Sequence, residues 1–305
     1  MLRLDFTYAD LRLPDVSATT CHASVSGVQE KVQVRRVRGG YEVVAHGGDA
    51  ILKPAPRNTA AVLPFDVPIN EHLTMKIAAR HFAIKTAENE LVQFKDGELA
   101  YLTRRFDRRD GRPVRQEDFC QLSGYSRESH GENYKYESSY EELAARMREF
   151  CPSAAVENPK VFKVILFNYV FGNADAHLKN FSLYESPQGD FILTPFYDLL
   201  NTYLHFPGDP SATGLAFFAD GHYTPRYEEL GFYSAADFVE LGAAYGVGTD
   251  EVHALISQFD RKAGRVDADV AASLLSDEAK NRYLALFHDR LKAVLNGLSE
   301  QSTHS

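Results

Sequence analysis

Hydrophobic and polar residues alternate with period two over 31–37, K-V-Q-V-R-R-V, which predicts a half-buried strand. Gly39-Gly40 follows as a turn, and 41–45 and 50–53 read as two further short strands. The texture changes at Asp66. Leu73, Ile77 and Phe82 recur near helical spacing, Pro68 stands where a first-turn proline is tolerated, and Asp66 is placed to cap, so a helix is predicted over 66–82. The runs 90–94 and 98–104 predict a hairpin closed at Asp96-Gly97. From Gln116 onward the spacing is mostly helical, with 141–150 and 159–171 the clearest helices. Two strand-like pieces, 181–184 and 191–194, flank a loop at 186–190, and 234–298 is helical again.

The order is strand-rich first and helix-rich second. That disfavours a doubly wound parallel sheet, which needs strands and helices in alternation. The pattern predicts an α+β chain with a small β-rich lobe holding one helix and a larger α-helical lobe. The join falls at 104–115, giving lobes over 1–104 and 105–305.

Composition narrows the class. A chain of 305 residues, 44% hydrophobic, can bury a sizeable core without a disulfide or metal staple. Its three cysteines, Cys21, Cys120 and Cys151, form no C-x-x-C pair, which excludes a zinc ribbon or disulfide framework and fits a reducing cytosol. The 33 basic residues against 42 acidic ones argue against nucleic-acid binding driven by overall charge. No apolar run approaches the roughly 18–20 residues that span a bilayer, and M-L-R-L-D-F-T lacks the apolar stretch of a signal peptide. The expected location is the cytoplasm, away from membranes.

The densest polar cluster is N-A-D-A-H-L-K-N at 173–180, between two apolar segments. Such a string suits a loop at the lip of a cleft, and it equally suits a polar connection. P-F-Y-D at 195–198 follows a strand, and Asp175 and Asp198 lie 23 residues apart with a hairpin between them. Paired carboxylates plus an asparagine suit Mg²⁺, which takes oxygen ligands and leaves positions for substrate phosphates. Lys179 adds a positive charge beside a transferring phosphoryl group. A-S-V-S-G-V-Q-E-K at 23–31 offers a turn whose amides face phosphate oxygens, although it lacks the Walker A pattern and also reads as a plain turn. Lys53 ends the strand A-I-L-K, and Glu71 lies on the following helix. Protein kinases position ATP phosphates with such a pair; a solvated strand lysine and a surface glutamate look the same in sequence.

These pieces occur in the order of a protein kinase, yet H-R-D and D-F-G are absent. The sequence resembles the HipA family of bacterial serine/threonine kinases, toxins of toxin–antitoxin systems. The matching strings are S-V-S-G-V-Q-E-K (24–31), I-L-K-P (51–54), R-R-F-D-R (104–108), Q-E-D-F-C-Q (116–121), K-Y-E-S (135–138), N-A-D-A-H-L-K-N-F-S (173–182) and P-F-Y-D (195–198). The resemblance implies a bilobal kinase-like fold and ATP and Mg²⁺ as cofactors. It implies Asp175 as catalytic base, Lys179 near the transferred phosphate, and Asn180 and Asp198 as metal ligands. It implies Lys53, Glu71, Ser26 and Gly27 around the ATP phosphates, and Arg105, Phe106 and Asp107 in a hinge for adenine and ribose. His177 then fixes the loop rather than carrying protons.

Only about 23 residues precede Ser24, where longer HipA kinases carry a further N-terminal subdomain. The chain therefore resembles the short HipT form of HipBST systems, which implies a HipS-like small protein and a HipB-like DNA-binding antitoxin as partners, with DNA reached only through the antitoxin. Ser24 and Ser26 at S-x-S spacing are implied autophosphorylation sites, and the implied target is an aminoacyl-tRNA synthetase, with translation inhibited. A pseudokinase scaffold and a metal-dependent phosphohydrolase are the competing readings. Six arginines against two aspartates over 104–115 read as a charge-rich hairpin or as a dock for phosphate or acidic groups.

Overall fold

In the computed structural model, which describes residues 1–11, 30–57, 60–109, 111–209 and 211–298, the early alternation becomes a six-stranded sheet. Its strands are β1 (Leu2–Arg3), β2 (Val32–Val37), β3 (Gly40–Val44), β4 (Ala50–Pro54), β5 (Asn89–Gln93) and β6 (Leu99–Arg104), in the order β1-β5-β6-β4-β2-β3. The β5–β6 hairpin closes at Gly97, whose φ of 100° is a conformation open to glycine and costly for other residues. Val34, Ala50, Leu52, Val92, Ala100 and Leu102 meet in one apolar cluster. Successive strand residues point to opposite faces. Leu52 pairs across the ladder with Leu102, and Lys53 pairs with Tyr101. The register that buries the leucines therefore sends Lys53 to the other face.

Helix α1 (Val67–Phe82) packs on β5 and β6. Asp66 stands at its N-cap position but does not cap it: the residue is already helical, with φ −81° and ψ −13°. Its carboxylate accepts instead from the backbone N and the hydroxyl of Ser276, each at 2.8 Å. A long-range partner has displaced the local one.

The first of two compact units comprises Met1–Val114, Pro195–Pro210 and Asp269–Tyr283; the second comprises Arg115–Thr194, Ser211–Ala268 and Leu284–Ser305. The chain thus returns twice to the first unit, where the local pattern implied a single boundary at 104. The returning segments are anchored by apolar burial and hydrogen bonding. Leu200 and Phe206 cluster with Val67, and the Tyr283 hydroxyl lies 2.8 Å from that of Thr74. A small hairpin of β7 (Arg108–Arg109) and β8 (Arg112–Pro113) ends the first stretch.

The second unit opens with β9 (Gln116–Asp118), a strand in a segment whose spacing reads as helical. Three residues carry too little alternation to signal a strand, and pairing with β10 (Ser182–Glu185) creates it. β11 (Phe191–Leu193) completes this sheet. The longer helices are α2 (Tyr140–Phe150), α3 (Ala154–Val170), α4 (Pro225–Leu230), α5 (Ala235–Ala244), α6 (Thr249–Ala271) and α7 (Asp277–Leu295), of which α6 ends in the first unit and α7 begins there. α3 begins five residues before the predicted start and keeps Pro159 inside. Apolar burial on nearly every side of its second half supports that helix, where Phe162, Phe167, Tyr169 and Phe171 meet Phe238, Tyr245, Phe259 and Phe287. No helix of the described residues is long and apolar enough to cross a membrane.

Candidate active site

In the first unit, Lys53, Glu71 and Asp198 come together. The Lys53 ammonium donates to Glu71 Oε1 at 2.7 Å and to Asp198 Oδ1 at 2.5 Å. It also lies 5.4 Å from the centre of the Tyr101 ring. Lys53 and Glu71 are both buried. Burial alone would lower the lysine's pKa, but the two carboxylates outweigh it and the pKa is raised. Burial pushes the Glu71 carboxyl up to about 7, against the pull of Lys53. Glu71 Oε2 is buried without a hydrogen-bond partner. Asp198 has a φ of 56°, a left-handed backbone that costs energy for a residue with a side chain.

The adjoining helix residue holds the segment that carries Asp198. Asn70 Nδ2 donates to the Asn201 carbonyl at 2.8 Å, and Asn70 Oδ1 accepts from the Asn201 N–H at 3.1 Å. The same Nδ2 lies 2.9 Å from His205 Nε2, and His205 Nδ1 lies 3.1 Å from the Val62 carbonyl. This pattern assigns the proton to Nδ1 and leaves Nε2 as acceptor. Burial drives the His205 pKa down to about 4, so the ring is neutral.

Over 104–108, Arg105 forks onto Asp107 at 2.9 and 2.6 Å, and Arg108 reaches the same carboxylate at 2.8 Å. Burial alone would raise the Asp107 pKa; the two guanidiniums override that and hold it low. The side chains of Arg105 and Asp107 are therefore engaged with each other. Phe106 lies 5.7 Å from the Tyr197 ring, beside Asp198. Arg104 pairs with Glu88 and Arg115 with Glu117. The basic stretch is thus largely charge-paired, which favours its reading as a charge-rich hairpin.

In the second unit, the end of α3 delivers a buried loop carrying Asn173, Asp175, His177 and Asn180. Asn173 Oδ1 accepts from the Asp175 N–H at 3.3 Å, and Asn180 Oδ1 accepts from the His177 N–H at 3.0 Å, so the asparagines brace the loop from within. The Ala176 carbonyl accepts from the Tyr140 hydroxyl at 2.9 Å. Asp175 Oδ1 accepts from the Tyr136 hydroxyl at 2.5 Å, with Lys135 Nζ and His177 Nε2 each 3.8 Å away. Lys179 donates to Asp118 Oδ2 at 2.5 Å. Burial opposes its charge, but Asp118 prevails and the Lys179 pKa is raised.

Asp175 and Asp198, read from the sequence as a pair, belong to the second and first unit respectively. Ser24, Ser26 and Gly27, and Cys21 with them, lie outside the described residues. Sequence reasoning missed Asn70, Asp118 and Tyr136. Tyr136 lies in K-Y-E-S and Asp118 in Q-E-D-F-C-Q, so the strings were visible but their partners were not.

A profile of the HipA-like C-terminal domain matches residues 23–265. The chain is 30% identical over 299 residues to a Haemophilus influenzae protein named "Putative kinase", covering 91% of this chain and 83% of that one. It is 27% identical over 298 residues to the serine/threonine-protein kinase toxin HipA of Shewanella oneidensis, covering 88% of this chain and 62% of that one. It therefore spans less than two thirds of that toxin's length. Among solved structures, Shewanella oneidensis HipA in complex with HipB and operator DNA aligns with a TM-score of 0.64 at 24% identity, over 91% of this chain and 66% of that one. The Helicobacter pylori proinflammatory kinase CtkA aligns with a TM-score of 0.56 at 11% identity, over 87% and 90%. The α+β fold is shared with these kinases.

Proposed function

The chain belongs to the HipA-like C-terminal domain family, and on that premise we propose that it is an ATP- and Mg²⁺-dependent serine/threonine protein kinase acting as the toxin of a toxin–antitoxin system. The observation that carries this reading is the buried Lys53 held between Glu71 and Asp198. Desolvating an ammonium is costly, and a surface strand lysine would not incur that cost. A fixed strand lysine paired with a helix carboxylate is how kinases hold nucleotide phosphates.

By the family resemblance, Mg²⁺ would be held by Asp198 and Asn180, a donor chemistry that suits it. Asp198 and Asn180 offer hard oxygens, and no group of three or more His, Cys, Asp or Glu among the described residues forms a metal cage. A Mg²⁺ ion completed by water and phosphate oxygens needs no such cage. When bound, the ion would neutralise phosphate charge. Lys53 would hold the ATP phosphates, Glu71 would orient Lys53, and Phe106 with the backbone of 104–107 would seat adenine and ribose. As the acceptor oxygen bonds to the γ-phosphorus, the bond from that phosphorus to the ADP oxygen breaks. ADP leaves with the electron pair, and Asp175 takes the acceptor's proton. Lys179 would face the transferred group.

The loop with Ser26 and Gly27 would cover the phosphates, and Ser24 and Ser26 would be autophosphorylated. The substrate would be an aminoacyl-tRNA synthetase in the cytoplasm, with translation inhibited. A HipB-like antitoxin is the expected partner, as in the Shewanella complex with HipB and operator DNA, and a HipS-like small protein is the second partner that the resemblance implies.

Incubation with γ-labelled ATP and Mg²⁺ tests the reading. Label on protein marks a kinase, free phosphate alone a hydrolase, and neither a scaffold. Asp175→Ala should lower transfer about 10²–10⁴-fold while ATP still binds; near wild-type labelling would remove the base assignment. Mass spectrometry of the active protein and of Asp175→Ala checks Ser24 and Ser26, since phosphate on neither, or on both proteins alike, defeats autophosphorylation. Expression without partners should arrest growth, and unimpaired growth with active enzyme would remove the toxin role while keeping the kinase.

A further inference from the structure

We propose that Tyr136 is the positioning residue of Asp175, its hydroxyl setting the direction in which the carboxylate meets the acceptor's proton. The inference rests on the reading of Asp175 as the base.

Tyr136 ends a single helical turn, Tyr134–Tyr136. Its N–H donates to the Asn133 carbonyl at 2.8 Å, and its own carbonyl accepts from the Ser138 N–H at 2.9 Å. Its backbone is therefore held before the side chain reaches out. The ring meets His177 edge to face, with centroids 5.2 Å apart and planes at 73°. His177 is buried in the same loop as Asp175, so this contact fixes the ring relative to the loop. From that seat the hydroxyl donates to Asp175 Oδ1 at 2.5 Å, across 39 residues of sequence.

The need for such a group follows from the aspartate itself. Its terminal torsion is broad and roughly two-fold, so the backbone alone does not aim the carboxylate plane. General-base catalysis depends on aim, and an error near 1 Å can cost about 100-fold. A short hydrogen bond to an ionised oxygen is among the stronger directional contacts available. Lys135 Nζ, at 3.8 Å from the same oxygen, supplies charge without direction. Tyrosine suits the task because its rigid ring carries a hydroxyl far from the backbone with only two torsions to fix. The same turn also places Tyr134 under Lys179, whose ammonium is 6.0 Å from the ring centre.

Tyr136→Phe keeps the ring and its packing on His177 and removes only the hydroxyl. With γ-labelled ATP and the protein itself as acceptor, the single-turnover rate of labelling should fall about 10- to 100-fold. The half-saturating ATP concentration should stay within about two-fold, because the hydroxyl acts on the base and not on the nucleotide. The decisive measurement is a double-mutant cycle, read well below the melting temperature of every variant. Tyr136→Phe combined with Asp175→Ala should be no slower than Asp175→Ala alone, since a residue acting only through Asp175 has nothing left to act on. If the two losses multiply, Tyr136 works independently of Asp175 and the proposal is wrong. A wild-type rate in Tyr136→Phe beside a disabled Asp175→Ala also defeats it and leaves the base reading intact. A wild-type rate in Asp175→Ala removes the base reading itself and the positioning role with it.

Discussion

Asn70 holds Asn201 by both sides of its backbone, donating to the carbonyl at 2.8 Å and accepting from the N–H at 3.1 Å. Asn70 neighbours Glu71 on α1, and Asn201 lies three residues after Asp198. One helix turn thus fixes both carboxylates that grip Lys53: Glu71 directly, and Asp198 through the segment that carries it.

Asn70→Ala should therefore act on stability and on the site together. It strands the buried N–H and carbonyl of Asn201 and the acceptor nitrogen of His205. Leaving buried polar groups unsatisfied costs on the order of 1–3 kcal/mol each, so for three such groups a loss of at least about 3 kcal/mol is expected in a denaturant titration. ATP affinity, read by calorimetry, should fall as well. Unchanged ATP affinity in a destabilised variant would show that Asp198 keeps its place without the clamp.

Stability should respond to pH through two opposed groups. The His205 pKa falls from 6.5 to about 4 on folding, so the unfolded chain binds the proton more tightly. Its contribution is present above 6.5 and is lost as pH falls toward 4. The Glu71 pKa rises from 4.5 to about 7, so its contribution is present below 4.5 and is lost as pH rises through 7. Each shift is worth at most about 3 kcal/mol. Relative to wild type, Glu71→Gln should lose stability as pH falls from 7 to 4.5, and His205→Gln should gain it. Parallel stability curves for all three proteins would contradict both assignments.

Gly214→Ala should damage catalysis more than folding. A Cβ at Gly214 would lie 2.5 Å from the backbone N, C and O of Ala176, between Asp175 and His177. Backbone cannot swing aside as a side-chain tip can, so the loop must shift, and a shift of about 1 Å at a base can cost about 100-fold in rate. The check is labelling from γ-labelled ATP beside a melting curve. Full activity in the variant would mean that the loop tolerates displacement.

Asp198→Ala should weaken Mg²⁺-dependent ATP binding and transfer together, because a metal-bound carboxylate neutralises charge in both ground and transition states. It also removes one of the two carboxylates on Lys53. A calorimetric titration showing unchanged Mg²⁺·ATP affinity would move Asp198 out of the metal shell.

Local chemistry made much of the protein legible in sequence. Period-two alternation at 31–37 and the Asp96-Gly97 turn specify β2 and the β5–β6 hairpin, because side-chain direction and turn geometry are set within a few residues. Helical spacing after Pro68 specifies α1 for the same reason. The strings around Lys53, Asp175 and Asp198 mark candidate residues because polar groups concentrated between apolar segments are costly to bury without partners. The partners themselves lie beyond any local window. Lys53 meets Asp198 across 145 residues, Asn70 meets Asn201 across 131, and Asp66 gives up its own helix to serve Ser276 across 210. Gln116–Asp118 becomes a strand only because β10 is there to pair with it. Periodicity reports which face of an element is apolar; it is silent on which distant group satisfies a buried charge. That choice belongs to the tertiary structure, where each buried polar atom takes the donor or acceptor that packing brings within reach.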